Sequence, residues 1–363
     1  MAKVRTVLGD IAPADLGVTL THEHVLIDLS FICDVMAPQE DSLRGLMTRP
    51  VTMEMMTLLR RGVRKFNYDD AVLGDTELAA KEVAEYLRFG GRSIIDHSLP
   101  GIGRDPAGLA MVSRATGANI VCSTGWYVVA SHPSYVKRKS PDELAEIMVR
   151  ELEVGVGDTG VRAGVIGECA CSSPIPFHPE EKKVLRAACR AQKQTGVGFS
   201  CHPAYADRKN ERYELDSPFA YIELIESEGA DVEKFFLSHS DVICHPGFLR
   251  DPVGHASKLI ERGITLNFDT FGQDHFDDYV FMGARHPSDS ERMMVIVELC
   301  RRGQEKNVMI SQDVCWKHML KKYGGAGYSH TMEHILPTLR YHGVTEKQIR
   351  TMTVGNPKRI LSF

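Results

Sequence analysis

The chain contains no hydrophobic run approaching the roughly 18 residues of a membrane span, which argues against a helical membrane protein. Its first residues, Met1-Ala2-Lys3-Val4-Arg5, carry no apolar signal region. An excess of basic charge is absent as well. The formal net charge is −5 over 363 residues, so neither nucleic acid nor an anionic membrane surface is indicated as a partner. No C-x-x-C pattern repeats. The nine cysteines are odd in number and scattered, and they read as reduced thiols of a cytoplasmic protein. The one close pair, Cys169-Ala170-Cys171, reads as packing, with redox or metal chemistry as the alternative. Low-complexity tracts, linkers and solenoid repeats are missing, so residues 1–363 are expected to form a single domain. What is present, 43% hydrophobic and 25% charged residues, is the composition of a soluble globular protein able to bury a large core.

The recurring feature is a short apolar or β-branched run followed by a helical stretch. The runs are Gly17–Thr21, Ser93–Asp96, Asn119–Ser123, Ala163–Gly167, Val197–Cys201, Phe235–Ser238, Ile264–Phe268 and Val308–Ser311. Helix starts are marked by Asp105-Pro106 and Asp251-Pro252, and by the capping-box spacings Ser140 to Glu143 and Ser288 to Glu291. From Pro179 to Thr195, Val184, Leu185, Ala188 and Ala191 share one helix face, and Gly196 ends the pattern. Alternation on this scale predicts a parallel sheet closed as a (β/α)8 TIM barrel. An open doubly wound sheet would want a glycine-rich phosphate loop after an early strand, and none is present. A Met-rich stretch from Phe31 to Gly74, containing Met36, Met47, Met53, Met55, Met56, Pro38 and Pro50, interrupts the rhythm as a lid-like insertion after the first strand.

In such a barrel, catalytic side chains come from the C-terminal ends of several strands. His22 and His24, two residues apart, would share a side of the first strand. The other strand ends offer Glu168, His202, His239 and Asp313. Side-chain alternation pairs Ile166 with Glu168, Ser200 with His202, Leu237 with His239 and Ser311 with Asp313, so that each polar group could face the barrel mouth. Four imidazoles and two carboxylates suit two divalent cations. Trp126 and Tyr127 after the third strand, and Phe271 after the seventh, are candidates for substrate contact or for packing. Lys317 and His318 could hold an anionic group or be solvated. His97, His132, His245, His255, His275, His286, His330 and His334 carry no assignment.

The motifs Thr19-Leu-Thr-His-Glu-His24, Gly164-Val-Ile-Gly-Glu168, Ser238-His-Ser-Asp241, Asp269-Thr-Phe-Gly272, Lys322-Tyr-Gly-Gly-Ala-Gly-Tyr-Ser329 and Asn356-Pro-Lys358 resemble the phosphotriesterase family of the amidohydrolase superfamily. Within it, they are most similar to the phosphotriesterase-related proteins. The resemblance implies that His22, His24 and Asp313 hold the more buried metal ion, and that His202 and His239 hold the more exposed one. Glu168 would bridge them where phosphotriesterases proper use a carboxylated lysine. Zinc is the default ion, with manganese, cobalt or iron suited to the same ligands. A homodimer is a further implication. Phosphotriesterases place a histidine of a proton relay where this chain has Thr270.

The expectation is a binuclear metal-dependent hydrolase in which a metal-bridging hydroxide attacks a carboxyl ester, lactone or amide. Asp313 would move the proton. Asp241 would orient the network around His239 or serve only as a structural carboxylate. Phosphotriester hydrolysis is the alternative activity. A non-catalytic barrel that binds a small ligand is the alternative class.

Overall fold

In a computed structural model, residues 2–35, 41–61, 67–173, 175–207, 212–213, 215–245, 247, 249–273 and 286–363 are described. Eight parallel strands follow one another in chain order around a barrel. They are β1 (Thr19–Glu23), β2 (Ser93–Asp96), β3 (Asn119–Thr124), β4 (Val165–Ala170), β5 (Phe199–His202), β6 (Phe235–Leu237), β7 (Thr265–Phe268) and β8 (Val308–Ile310). The ends of the sheet meet where the amide of Asp313 donates to the carbonyl of His22 at 3.1 Å and the amide of His22 donates to Ser311 Oγ at 3.0 Å.

The helices between the strands begin as the local chemistry dictates. The longest are α1 (Thr76–Arg88), α2 (Pro106–Thr116), α3 (Pro141–Glu153), α4 (Pro179–Thr195), α5 (Ser217–Glu228), α6 (Pro252–Glu261) and α7 (Asp289–Arg301). Asp105 and Asp251 cap the α2 and α6 N-termini from their side chains, and both capping boxes, at Ser140 and Ser288, are formed. Gly196 ends α4 in the left-handed conformation at φ 72°. No helix among the described residues is long and apolar enough to cross a membrane.

Two apolar layers result. Ile95, Val121, Val165, Phe236 and Met309, one from each of five strands, cluster inside the barrel above Val4 and Leu361. Side chains of the opposite face, among them Ile166, Phe199, Leu237, Leu266 and Ile310, pack outward against the helices. This layering corrects the expected alternation. Ile166 and Leu237 face outward, so simple alternation would turn Glu168 and His239 away from the barrel mouth. Three irregularities change the phase instead. Register shifts fall between Leu20 and Glu23 and between Ile166 and Cys169, and His239 adopts φ 52°. Asp313 is likewise left-handed, at φ 51°. Such conformations are uncommon outside glycine and concentrate at functional positions.

The insertion after β1 is closed at its base by the antiparallel pair Ile27–Asp28 and Val72–Leu73. Met47 and Met56 are buried core filler, whereas Met53 is exposed. Met36 and Pro38 lie outside the described residues.

Candidate metal centre

His22, His24 and Asp313 bring one ligand atom each to a common point, and Glu168, His202 and His239 do so beside it. Glu168 belongs to both groups in space. Its Oε1 lies 3.7 Å from His24 Nε2, and its Oε2 lies 3.5 Å from His22 Nε2, 3.5 Å from His239 Nε2 and 3.0 Å from His202 Nδ1. Asp313 Oδ1 stands 3.4 Å from His24 Nε2 and 3.6 Å from His22 Nε2. Most of these separations are too long for good hydrogen bonds. They match the spacing of neighbouring ligands around a cation, since two donors each about 2.1 Å from a tetrahedral ion stand about 3.4 Å apart. His22 Nε2 is buried without a hydrogen-bond partner, an arrangement that a bound cation would satisfy. The donor set therefore fits divalent metal ions.

The cluster is strongly coupled electrostatically, and its carboxylates draw positive charge, a proton or a cation, to the histidines. Burial disfavours charge on His22, yet Glu168, Asp269 and Asp313 outweigh it and hold its pKa well above the usual value. Burial also opposes ionisation of Glu168, and His22 and His202 more than offset it, so its pKa falls well below the carboxylate range. For His202 burial prevails and lowers the pKa, favouring the neutral imidazole that a metal requires. The site is graded in exposure. His22 and His24 are closed off at 0% and 3% side-chain exposure, whereas His202 at 26% opens to solvent.

The ring orientations are fixed by groups that the sequence reading left out of the site. Asp269 reaches His22 Nδ1 at 2.8 Å with one oxygen and His239 Nδ1 at 2.9 Å with the other. A third possible ligand group, His22, His239 and Asp269, uses these same contacts. Their hydrogen-bond lengths assign Asp269 to orienting the rings, so that the Nε2 atoms point at the cluster. Ser98 Oγ lies 3.0 Å from His24 Nδ1, and Ser238 Oγ lies 3.1 Å from His22 Nδ1. His97 sits beneath His22 with ring centroids 4.7 Å apart. The signal for Asp269 was its place one residue past β7, two residues beyond the inward-facing Asn267, whose amide donates to it at 2.9 Å.

Several expected roles do not hold. Asp241 touches none of the ligands. Its Oδ2 accepts from the Thr270 amide at 3.0 Å, from the Thr270 hydroxyl and from Arg292 Nε at 2.9 Å, binding the loop after β7 to α7. Trp126 is a core side chain, 1% exposed, whose Nε1 donates to Tyr135 Oη at 3.1 Å. Phe271 is equally buried, beneath the Arg292 guanidinium. Of the aromatic candidates, Tyr127 alone lines the cavity, edge-on to His202. Lys317 and His318 bind no open anion site. Lys317 Nζ contacts Asp69 at 2.5 Å and His318 Nδ1 contacts Asp70 at 2.7 Å, tying the loop after β8 to the insertion. Of the unassigned histidines, His132 meets Glu180, His330 meets Asp289 and His286 lines the cavity, while His275 lies outside the described residues.

Above the cluster opens a cavity of about 420 Å3. His202, His239 and Asp313 reach its floor, and Leu29, Phe31, Ile32, Val128, Val242 and Trp316 contribute to walls that are mainly apolar. The insertion thus supplies one wall. A ligand with one polar, hydrolysable group and an apolar body would match this division.

Comparison with known proteins places the chain among related molecules. The model of the phosphotriesterase family matches residues 2–361. A phosphotriesterase-related protein from Nematostella vectensis is 35% identical over 99% of this chain and 98% of its own length. An N-acetyltaurine hydrolase from Salmo salar is 31% identical over 99% and 98%, respectively. Among solved structures, a resiniferatoxin-binding protein from Rhodobacter sphaeroides superposes with a TM-score of 0.88 at 34% identity, covering 99% of this chain and 94% of that one.

Proposed function

The chain belongs to the phosphotriesterase family and is a metal-dependent hydrolase, and from that premise we propose that it cleaves a carboxylic amide, or a related ester or lactone, in a small molecule. The observation that carries this reading is the pair of ligand clusters sharing Glu168 at the floor of an apolar cavity. His22, His24 and Asp313 would hold one divalent cation and His202 and His239 a second, with Glu168 between them. Zinc is the ion proposed first, and manganese, cobalt or iron would suit the same donors. When bound, such ions acidify water towards a pKa of about 7 and polarise a carbonyl oxygen. The relative named as an N-acetyltaurine hydrolase favours an amide among the carboxyl derivatives.

The protein's own groups divide the remaining work. Glu168 is kept ionised by its histidine neighbours, so it can serve as a carboxylate bridge without modification. Asp269 accepts from Nδ1 of His22 and of His239, which turns each Nε2 into the cluster, where His239 Nε2 lies 2.8 Å from His202 Nδ1. Asp313, at the edge of the cluster with 15% side-chain exposure, can take a proton on its carboxylate and return it to the departing nitrogen or oxygen. Phe31, Ile32 and Trp316 restrict water around the reacting group. Thr270 cannot replace a histidine relay, because its hydroxyl is engaged by Asp241 and Arg292. That observation weakens the phosphotriesterase reading. The nine cysteines are all free and buried, in keeping with a proposed cytoplasmic location.

The test is a panel of N-acyl amides, aryl esters, lactones and an aryl phosphotriester, offered to metal-reconstituted protein. Turnover of carboxyl derivatives that stops on chelation and returns with metal is the expected result. Full metal loading without turnover of any of them would remove the proposal. Tight binding of an apolar panel compound without cleavage would favour the ligand-binding barrel instead.

A further inference from the structure

Gln273 lies just past β7 on the cavity lining and is 5% exposed. Its Nε2 donates to the backbone carbonyl of Gln312 at 2.9 Å and to that of Asp313 at 3.0 Å. Two carbonyl acceptors can be met only by the amide's NH2 group, so the side chain has a single orientation, with both of its donors committed. The remaining polar atom is the carbonyl oxygen Oε1. It has no hydrogen-bond partner among the described residues, and it is not one of the polar atoms sealed from solvent without a partner. Gln273 is one of the residues lining the cavity, where Oε1 would be an available acceptor beside the backbone of Asp313 that Nε2 holds.

We infer that Gln273 is a specificity-determining residue that accepts a hydrogen bond from the N–H of an amide substrate and thereby selects amides over esters. This rests on the reading of the chain as a hydrolase of carboxyl derivatives and narrows it to one leaving group. The scissile amide carries a donor on the nitrogen that receives the proton from Asp313, and Gln273 lines the same cavity and is bonded to the Asp313 backbone. A matched ester brings an oxygen there, which cannot donate and leaves two acceptors opposed. Sites built to bind a substrate N–H discriminate strongly against analogues lacking it, because the buried partner is left unpaired. The grip on the Asp313 carbonyl is a second role of the same side chain. It affects every substrate alike and is therefore separable.

The experiment compares hexanoyl p-nitroanilide with p-nitrophenyl hexanoate on wild-type, Gln273→Met and Gln273→Glu proteins, all metal-loaded. Both variants lose the donation to Asp313, so kcat/KM should fall for both substrates. In the Met variant, which has no acceptor, the amide-to-ester ratio should fall by a further tenfold or more. In the Glu variant, which keeps one, the ratio should stay within about threefold of wild type. Binding should show the same split without turnover. A phosphonamidate carrying N–H should outbind the matched phosphonate ester in wild type and lose that advantage in Gln273→Met. An unchanged amide-to-ester ratio in the Met variant would overturn the inference and leave the hydrolase reading intact. Wild-type protein that cleaves the ester but not the anilide would overturn it too. Wild-type protein that cleaves neither would remove the hydrolase reading, and the inference with it.

Discussion

His22 Nδ1 lies 2.8 Å from Oδ2 of Asp269, and both groups are wholly buried. The other oxygen of the same carboxylate serves His239, so one residue orients a ring in each ligand cluster. Every neighbour of Asp269 is a donor when the Nε2 atoms ligate: two imidazole N–H groups, the His239 amide at 2.8 Å and the Asn267 side chain. Asp269→Asn must therefore set one donor against another. Its affinity for both ions should fall about 10- to 100-fold. Competition with a chelating indicator measures this, and loss of one ion with the second held at native affinity would contradict it.

Asp313→Asn keeps the size and one ligand oxygen of the native residue but cannot move a proton. The variant should retain most of its metal, and kcat should fall at least about 10²- to 10⁴-fold, the usual worth of general acid–base assistance. Metal content and kcat are to be read on one preparation. A fully metallated variant with near-native turnover would exclude Asp313 from proton transfer.

With Glu168 as the proposed unmodified bridge, metal-free protein should take up close to two divalent ions per chain equally well with and without bicarbonate. Elemental analysis after reconstitution gives the count. The loaded protein should also melt higher than the metal-free form, because the ions bind only the assembled cluster. Saturation at one ion, or a strict need for bicarbonate, would refute the proposed bridge.

The apolar walls of the cavity predict a dependence on acyl length. Each added methylene buried against Phe31, Ile32 and Trp316 contributes up to about 0.8 kcal/mol, or roughly fourfold in kcat/KM, until the cavity is full. A series from acetyl to octanoyl amides would show a rise and then a plateau. A flat series would mean that the acyl group lies elsewhere.

All nine cysteines are buried. Burial pushes the Cys122 thiol up to about 12, and that of Cys189 likewise, so little thiolate exists at neutral pH. A disulfide reagent should therefore react slowly with native protein and titrate all nine groups rapidly after denaturation. Rapid reaction of several thiols in the native state would contradict this packing.

The barrel was legible in the sequence because its alternation is long-range and redundant, with capped helix starts repeated between apolar runs. The six side chains that the structure brings together as candidate ligands were legible because histidine and carboxylate recur at strand ends. The faces they present were not, because alternation assumes an unbroken strand. The phase at Glu168 depends on a register shift, and that at His239 on a left-handed backbone, neither of which has a marker in the sequence. Asp241 was drawn towards the site by its nearness to His239 in the chain, whereas buried Arg292, 51 residues further on, claims it at 2.9 Å. Trp126 and Phe271 show the same limit: a loop aromatic near the barrel mouth can turn either into the cavity or into the core, and the partner that decides is not adjacent in sequence.

The amide of Lys3 donates to the carbonyl of Phe363 and the amide of Phe363 to that of Lys3, both at 3.1 Å, on the face of the barrel opposite the cavity. Lys3 and Phe363 thus lie side by side, like the two halves of a buckle. A short peptide could join them into a ring, and new ends could then be cut in a surface turn between a helix and the following strand. Surface attachment at this face would leave the mouth of the barrel turned towards solution, an orientation suited to immobilised use.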